Sequence, residues 1–305
     1  MEHDFEVNEI SVYEIIKELW SKKLLIISIT TIFSIASVAY ALSINNIYKS
    51  DTIVSLTTES RGSDMSQYQG LAAMAGINLP TSQKEDKSKL AIANMKSREF
   101  FDLLMQEQDF LINLMAAESF DHSSKKIIFD SEVYNIENNS WIREYSFPQL
   151  QVPSLQEAHK YFLDEIFNIS QDKESKFITI SISHISPVFA KETLDIIIKN
   201  INETSRRKDL SESDIAMRYL ELQLTKTNIL NISDSINELI EFHTYRQMKA
   251  QTNEDYLLKV IDKPYIPEYK SGPQRALICI LGFILGILTS SIYILISSGI
   301  KKTEA

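Results

Sequence analysis

The sequence has little of what enzymes commonly use to bind cofactors or to activate substrates. It contains 7 glycines in 305 residues and no G-x-x-x-x-G-K-[ST] or G-x-G-x-x-G run, so it offers no glycine-rich loop for a nucleotide phosphate. The 5 histidines are scattered, with no Cys, His or carboxylate partner at the spacing of a metal site. No G-x-S-x-G elbow marks a nucleophilic serine. We therefore predict no catalytic, cofactor-binding or metal-binding residues.

Cysteine is almost absent as well. The one cysteine, Cys279, lies inside an uncharged run near the C-terminus. The rest of the chain therefore holds no disulfide and must be stabilised by its own core and by its neighbours.

Two long stretches have no charged residue at all. They run from Leu24 to Tyr48 and from Ala276 to Ile300, 25 residues each. About 20 apolar residues suffice for a helix to cross a bilayer. One such run could be a buried core helix, but two runs, one near each end, predict membrane spans at residues 24–44 and 276–296.

A cleaved signal peptide is the alternative interpretation of the first run, because Ala39, Tyr40 and Ala41 resemble a cleavage site. Signal peptides, however, carry a positively charged start and a shorter apolar segment of about 7–15 residues. Here 23 residues, most of the charged ones acidic, precede the run. The mass of the mature chain distinguishes the two interpretations.

Lysines next to the spans predict the orientation. Lys17, Lys22 and Lys23 precede the first span, and Lys301 and Lys302 follow the second. Positive residues concentrate on the cytoplasmic side, so the tails 1–23 and 297–305 are expected there, and residues 45–275 outside. Lys49, Lys270 and Arg275 oppose this rule. Residues 49–275 carry 26 basic and 34 acidic residues, a net charge of −8, which disfavours binding to nucleic acid.

The exported segment has the pattern of an α+β domain. In KFITISIS, residues 176–183, the isoleucines alternate with Thr and Ser, which predicts a half-buried strand. Residues 48–59 and 256–262 also favour strands. Ser186 followed by Pro187 predicts the start of a helix, with serine as the N-cap and proline in the first turn.

No Pro or Gly occurs from Val188 to Lys263, which permits very long helices. A capping-box-like SESD at residues 211–214 suggests a break near Asp209, and we predict one long projecting helix over about 212–253. Apolar residues at seven-residue spacing along it are candidates for contacts between subunits. These are Ile215, Leu222, Ile229, Ile232, Ile236 and Leu239.

Residues 263–275, KPYIPEYKSGPQR, lead into the second span. Pro264, Pro267, Gly272 and Pro273 predict a semi-rigid extended connector, since each proline fixes φ and removes a hydrogen-bond donor. Within the span, Gly282, Gly286 and Ser290 recur every four residues. They form a small-residue face on which another helix can pack closely.

The start, ISVYEIIKELWSKKLLI at residues 10–26, and the end, KPYIPEYKSGPQRAL at residues 263–277, resemble the Wzz-type chain-length determinants, also called polysaccharide co-polymerases. The end is similar to the spaced prolines and the S-P-x-[KR]-A-L-like motif of that family, except that Gly272 separates Ser271 from Pro273. The resemblance covers nearly the whole chain.

The resemblance implies a non-catalytic bacterial inner-membrane protein with a periplasmic α+β domain. Such proteins form homo-oligomeric rings and set the length of O-antigen or a related glycan. The implied partners are other copies of the chain, the membrane polysaccharide polymerase, the lipid bilayer and, as an open question, the growing glycan itself. The short segment after the second span resembles the subclass that has no fused kinase.

Two other classes remain open. One is a periplasmic sensor or adaptor that activates a separate cytoplasmic kinase, bound through the tail around Tyr13 to Trp20. The other is a glycan enzyme, which would need a carboxylate pair that only the fold can bring together.

Overall fold

The computed structural model describes residues 19–57, 84–226 and 230–303. They divide into two units, one made of residues 19–47 with 270–303 and the other of the described residues between 48 and 269. The helices are α1 Lys23–Ser43, α2 Lys84–Met95, α3 Arg98–Met105, α4 Phe110–Met115, α5 Leu155–Tyr161, α6 Pro187–Lys226, α7 Leu230–Thr252 and α8 Arg275–Thr303. The strands are β1 Tyr48–Leu56, β2 Ala117–Asp121, β3 Lys126–Phe129, β4 Tyr134–Asn135, β5 Ser140–Trp141, β6 Phe167–Gln171, β7 Ile178–His184 and β8 Leu258–Asp262.

The unit that holds the two ends of the described chain consists of α1 and α8, which pack against each other. Residues Lys23–Ser43 and Arg275–Ser297 are long and apolar enough to cross a membrane. The predicted arrangement, a mixed α and β domain with one membrane-length helix before it and another after it in the sequence, is confirmed.

The domain is built on a four-stranded antiparallel sheet with the order β6-β7-β1-β8. The first strand after α1 is central, and it pairs with β7 from Tyr48 opposite His184 to Val54 opposite Ile178. Its other neighbour is β8, the last strand before the connector. The three strands predicted from sequence at 48–59, 176–183 and 256–262 are therefore adjacent members of one sheet.

The core lies between this sheet and the first half of α6. Ile178, Ile180 and Ile182 are fully buried, which confirms the alternation seen in the sequence. They pack in one hydrophobic cluster with Leu194 and Ile197 of α6. A set of aromatic rings continues the cluster: Phe100, Phe101, Phe110, Phe162, Phe167 and Phe189.

Helix α6 begins where the sequence predicted. The Ser186 hydroxyl accepts a hydrogen bond from the Phe189 backbone N–H at 3.2 Å, and Pro187 is the first helical residue. This cap satisfies one of the backbone donors that every helix leaves free at its start.

The prediction of a long helix is confirmed, but its bounds of 212–253 are wrong. Helix α6 runs without interruption through Asp209 and the SESD motif to Lys226, and α7 runs from Leu230 to Thr252. The two helices pack as an antiparallel pair, since Asp209 bonds to Arg246 at 2.8 Å and Ser213 lies 3.4 Å from His243. A helix of 40 residues is about 60 Å long.

The error has a physical cause. The chain reverses direction with neither Pro nor Gly between Val188 and Lys263, so the usual turn residues gave no signal. Inside the SESD motif, Ser213 is fully buried in the helix pair and does not end a helix.

The end of the helix pair is tied to the sheet by side chains of α6. The buried Asn202 amide donates to the Leu258 carbonyl at 3.0 Å and accepts from the backbone N–H groups of Leu257 and Leu258 at 2.8 Å each. Arg206 donates to the carbonyls of Asn253 and Glu254. These bonds fix the turn from α7 into β8.

Residues 84–166 fold as small helices and two short hairpins beside the sheet. Residues 84–115 form the three helices α2, α3 and α4. Arg143 and Glu157 form a bidentate ion pair, at 2.5 and 2.7 Å. Arg143 also donates to the carbonyls of Leu150 and Gln151, and it thereby fixes the loop that follows β5. The hydrogen bonds from Arg143 lower the pKa of the Glu157 carboxyl.

Burial gives His184 a role in the pH dependence of stability. Its ring, 4% exposed, accepts a hydrogen bond from the Ser186 backbone N–H at 3.1 Å. Desolvation lowers its pKa from 6.5 to about 4. The unfolded chain therefore takes up a proton below pH 6.5 that the folded chain takes up only near pH 4.

We expect the free energy of unfolding to lose about 3 kcal/mol from this group as the pH falls through that window. In His184→Asn, the amide oxygen can still accept the Ser186 bond, but nothing at this position titrates. The measurement is urea unfolding of both detergent-solubilised proteins from pH 7 to pH 4. The stability advantage of the unmodified chain should shrink as the pH falls, and an advantage that stays constant would contradict this role.

Candidate functional site: the paired helices and the connector

The small-residue face of α8 lies against α1. Ser290 is fully buried, Gly286 is buried and Gly282 is partly buried. A Cβ atom added to Gly286 would lie 2.9 Å from the Thr30 Cα, and one added to Gly282 would overlap the Ser37 side chain. The two helix backbones are thus close enough that any side chain larger than glycine must displace one of them.

Helix α1 supplies a matching face that the sequence analysis missed. Thr30 and Ala41 are buried, and Ser34 and Ser37 are partly buried. The spacing of four, three and four residues was a readable helical signal. Ser34 and Ser37 donate their hydroxyl hydrogens to carbonyls one turn earlier, so they place no unsatisfied donor in an apolar environment.

The first half of the connector belongs to the domain and follows β1. The Ser50 hydroxyl donates to the Tyr265 carbonyl and the Thr52 hydroxyl to the Asp262 carbonyl, each at 2.6 Å. The Tyr265 hydroxyl donates to the Asp51 carboxylate at 2.8 Å. Side chains of β1 thus hold a segment in which Pro264 and Pro267 have no N–H for a sheet ladder.

The second half of the connector closes on the end of α1. The Ile47 N–H donates to the Gly272 carbonyl at 3.0 Å, and the Ser271 N–H donates to the Ile47 carbonyl at 2.8 Å. Arg275 donates to the Ile44 carbonyl and to the Asn46 side chain at 3.1 and 3.2 Å. Arg275 thereby satisfies a carbonyl at the C-terminus of α1, a role that its sequence position next to Pro273 did not reveal.

Gly272 has no atom within 4 Å of where a Cβ would lie, so packing does not require glycine there. The extra residue between Ser271 and Pro273 is accommodated at an open position.

The candidate subunit-contact residues do not form one face. Ile215 and Leu222 lie on α6 and are 60% and 52% exposed, whereas Ile232, on α7, is 47% exposed. Ile236 is buried and Leu239 partly buried, while Ile229 lies outside the described residues. The seven-residue repeat was broken by the chain reversal. A subunit contact through the exposed members stays a prediction.

Within the described ranges, no group of three His, Cys, Asp or Glu residues could hold a metal ion. One polar cluster of the helix pair joins Asp209 to Arg246 and to the Tyr256 hydroxyl, at 2.8 and 2.5 Å. It links α6 to α7 and to the start of β8.

Comparisons with known proteins find similar sequences. Residues 8–108 match the family described as "Wzz: Chain length determinant protein". The tyrosine-protein kinase etk of Escherichia coli strain K12 is 32% identical over 300 residues, covering 88% of this chain and 37% of the relative. The etk protein of Escherichia coli O127:H6, strain E2348/69 / EPEC, is 32% identical over 87 residues, covering 28% of this chain and 11% of the relative. The chain thus spans little more than a third of the length of the K12 protein.

Two solved structures are also similar. A full-length bacterial polysaccharide co-polymerase has a TM-score of 0.43 at 12% identity, over 97% of this chain and all of that one. A fragment of WzzB, the polysaccharide co-polymerase from Salmonella Typhimurium, has a TM-score of 0.30 at 11% identity, over 74% of this chain and all of the fragment. Residues 8–108 thus match the Wzz chain length determinant family, to which the start of the chain was predicted to be similar.

Proposed function

We propose that this chain is a non-catalytic, homo-oligomeric regulator of surface polysaccharide length in a bacterial inner membrane, acting with the membrane polymerase. The observation that supports this most is the Wzz match, which covers α1, β1 and the helices up to Met105. The glycan is O-antigen or a related polymer.

The proposed topology has both tails in the cytoplasm and residues 45–275 in the periplasm. Two spans put both tails on the same side, and the lysines flanking the spans favour the cytoplasm for that side. The net charge of −8 in residues 49–275 suits a domain that works without binding polyanions.

The geometry supports regulation through position. A non-catalytic regulator must act by holding its partners at fixed positions. Here the backbones of α1 and α8 are packed close together at Gly282 and Gly286. The clamp of Ile47, Ser271 and Gly272 fixes the chain where α1 ends and α8 begins. The large exposed side chains on the other faces of both helices are then available to lipid or to the polymerase.

Deletion of the gene should change the length distribution of the surface glycan without abolishing its synthesis. The measurement is the banding pattern of the glycan on a gel, compared with the parent strain and a complemented strain. An unchanged ladder after deletion would refute the proposed function.

Replacement of Gly286 by Leu should force α1 and α8 apart. Overpacking of a well-packed contact costs about 1–3 kcal/mol. We expect the complemented strain to show a shifted or broadened ladder at equal amounts of protein in the membrane. Ala36→Leu is the matched control, because it adds bulk on an exposed position of α1. Equal ladders for the two variants would show that the helix contact does not contribute to length control.

The relation to etk favours one second candidate, an adaptor that activates a separate kinase. In that case, deletion should lower the tyrosine phosphorylation of that kinase in the membrane fraction. Our proposal predicts unchanged phosphotyrosine together with an altered ladder. Lost phosphotyrosine with a normal ladder would instead establish the adaptor.

A further inference from the structure

Three side chains of the connector are exposed although they are large and apolar or aromatic. Tyr269 is 85% exposed, and Tyr265 and Ile266 are 51% and 52% exposed. Tyrosine combines an apolar ring with a polar hydroxyl, and such side chains concentrate where a bilayer meets water.

The connector is held so that these groups stay outside the domain core. Pro267 is buried, whereas its neighbours Ile266 and Glu268 are exposed. The Tyr265 carbonyl and hydroxyl are both bonded to β1, through Ser50 and Asp51. The Tyr265 side chain is therefore preorganised, which lowers the entropic cost of binding a surface.

The covalent chain limits how far Tyr269 can be from the membrane surface. Gly272 is hydrogen-bonded to Ile47, which follows the end of α1 by four residues. Tyr269 is three residues before Gly272 in the sequence, and three residue steps span at most about 11 Å. If α1 and α8 cross a bilayer, Tyr269 is thus within reach of the headgroup layer.

Charge also suits a lipid surface. Lys263 and Lys270 are exposed on either side of the three residues. Their long side chains can reach lipid phosphates while their stems lie along apolar groups. Glu268 is the opposing charge within the segment.

We propose that Tyr269 and Ile266, with the ring of Tyr265, are a lipid anchor that lies in the headgroup layer on the periplasmic side. The inference rests on the proposed two-span topology. It deepens the proposed function, because an anchored connector would fix the height of the domain above the bilayer. A second copy of the chain and the polymerase are the competing occupants of this surface.

The test uses the full-length chain with Trp20 and Trp141 replaced by Phe and one tryptophan introduced as Tyr269→Trp. The protein is reconstituted in vesicles of phosphatidylethanolamine and phosphatidylglycerol, and its fluorescence is quenched by lipids spin-labelled at the headgroup or by acrylamide in water. Phe147→Trp in the same background is the matched control, since Phe147 is 97% exposed on the loop of the domain held by Arg143.

We expect the tryptophan at 269 to be blue-shifted relative to the control, quenched by the labelled lipid, and quenched severalfold less by acrylamide. Ile266→Trp should behave in the same way and gives an independent position. Acrylamide quenching equal to that of the control would overturn the anchor. Protection from acrylamide without quenching by lipid would also overturn it, because protein would then cover the site.

The fluorescence result and the glycan result are independent. An unchanged ladder after deletion with lipid quenching at 269 would refute the regulator and leave the anchor. A changed ladder without lipid quenching would refute the anchor and leave the regulator.

Discussion

The antiparallel pairing of β1 with β8 is the constraint on which the rest of the structure depends. One strand directly follows α1, and the other directly precedes the connector to α8. Their pairing brings the first and last parts of the domain together after more than 200 residues of intervening chain. Ser50, Asp51 and Thr52 then extend the contact along the connector by side-chain bonds where proline has removed the backbone donors. The Ile47–Gly272 bridge continues it at the ends of the helices.

Because the first and last strands of the domain are paired, the two membrane-length helices can also be neighbours. Their sequences are suited to close packing. Association of helices in a bilayer gains little from hydrophobicity, because lipid is as apolar as the side chains, and depends on close van der Waals packing. Glycine on α8 and hydroxyl-bearing or small residues on α1 provide that closeness. Arg275 adds a polar bond to the Ile44 carbonyl at the end of α1, where an unpaired group in an apolar environment is costly.

Local patterns in the sequence predicted local structure well. The isoleucine alternation of β7, the Ser186–Pro187 helix start and the small face of α8 depend on neighbours within a few residues. The helix pair was mispredicted because α6 and α7 reverse direction without the residues that normally signal a turn. Asn202 and Arg275 were missed because their partners, Leu258 and Ile44, are distant in sequence, and only the fold brings them together. The small-residue face of α1 that packs against α8 could have been found from the spacing of Thr30, Ser34, Ser37 and Ala41 alone.

The central claim is that this chain controls the length of a glycan and not its amount. The most direct measurement raises expression of the chain stepwise from zero and records both the glycan length distribution and the total glycan mass. The account predicts that the distribution narrows around a defined length while the mass stays constant. A mass that rises with expression while the length distribution is unchanged would contradict it.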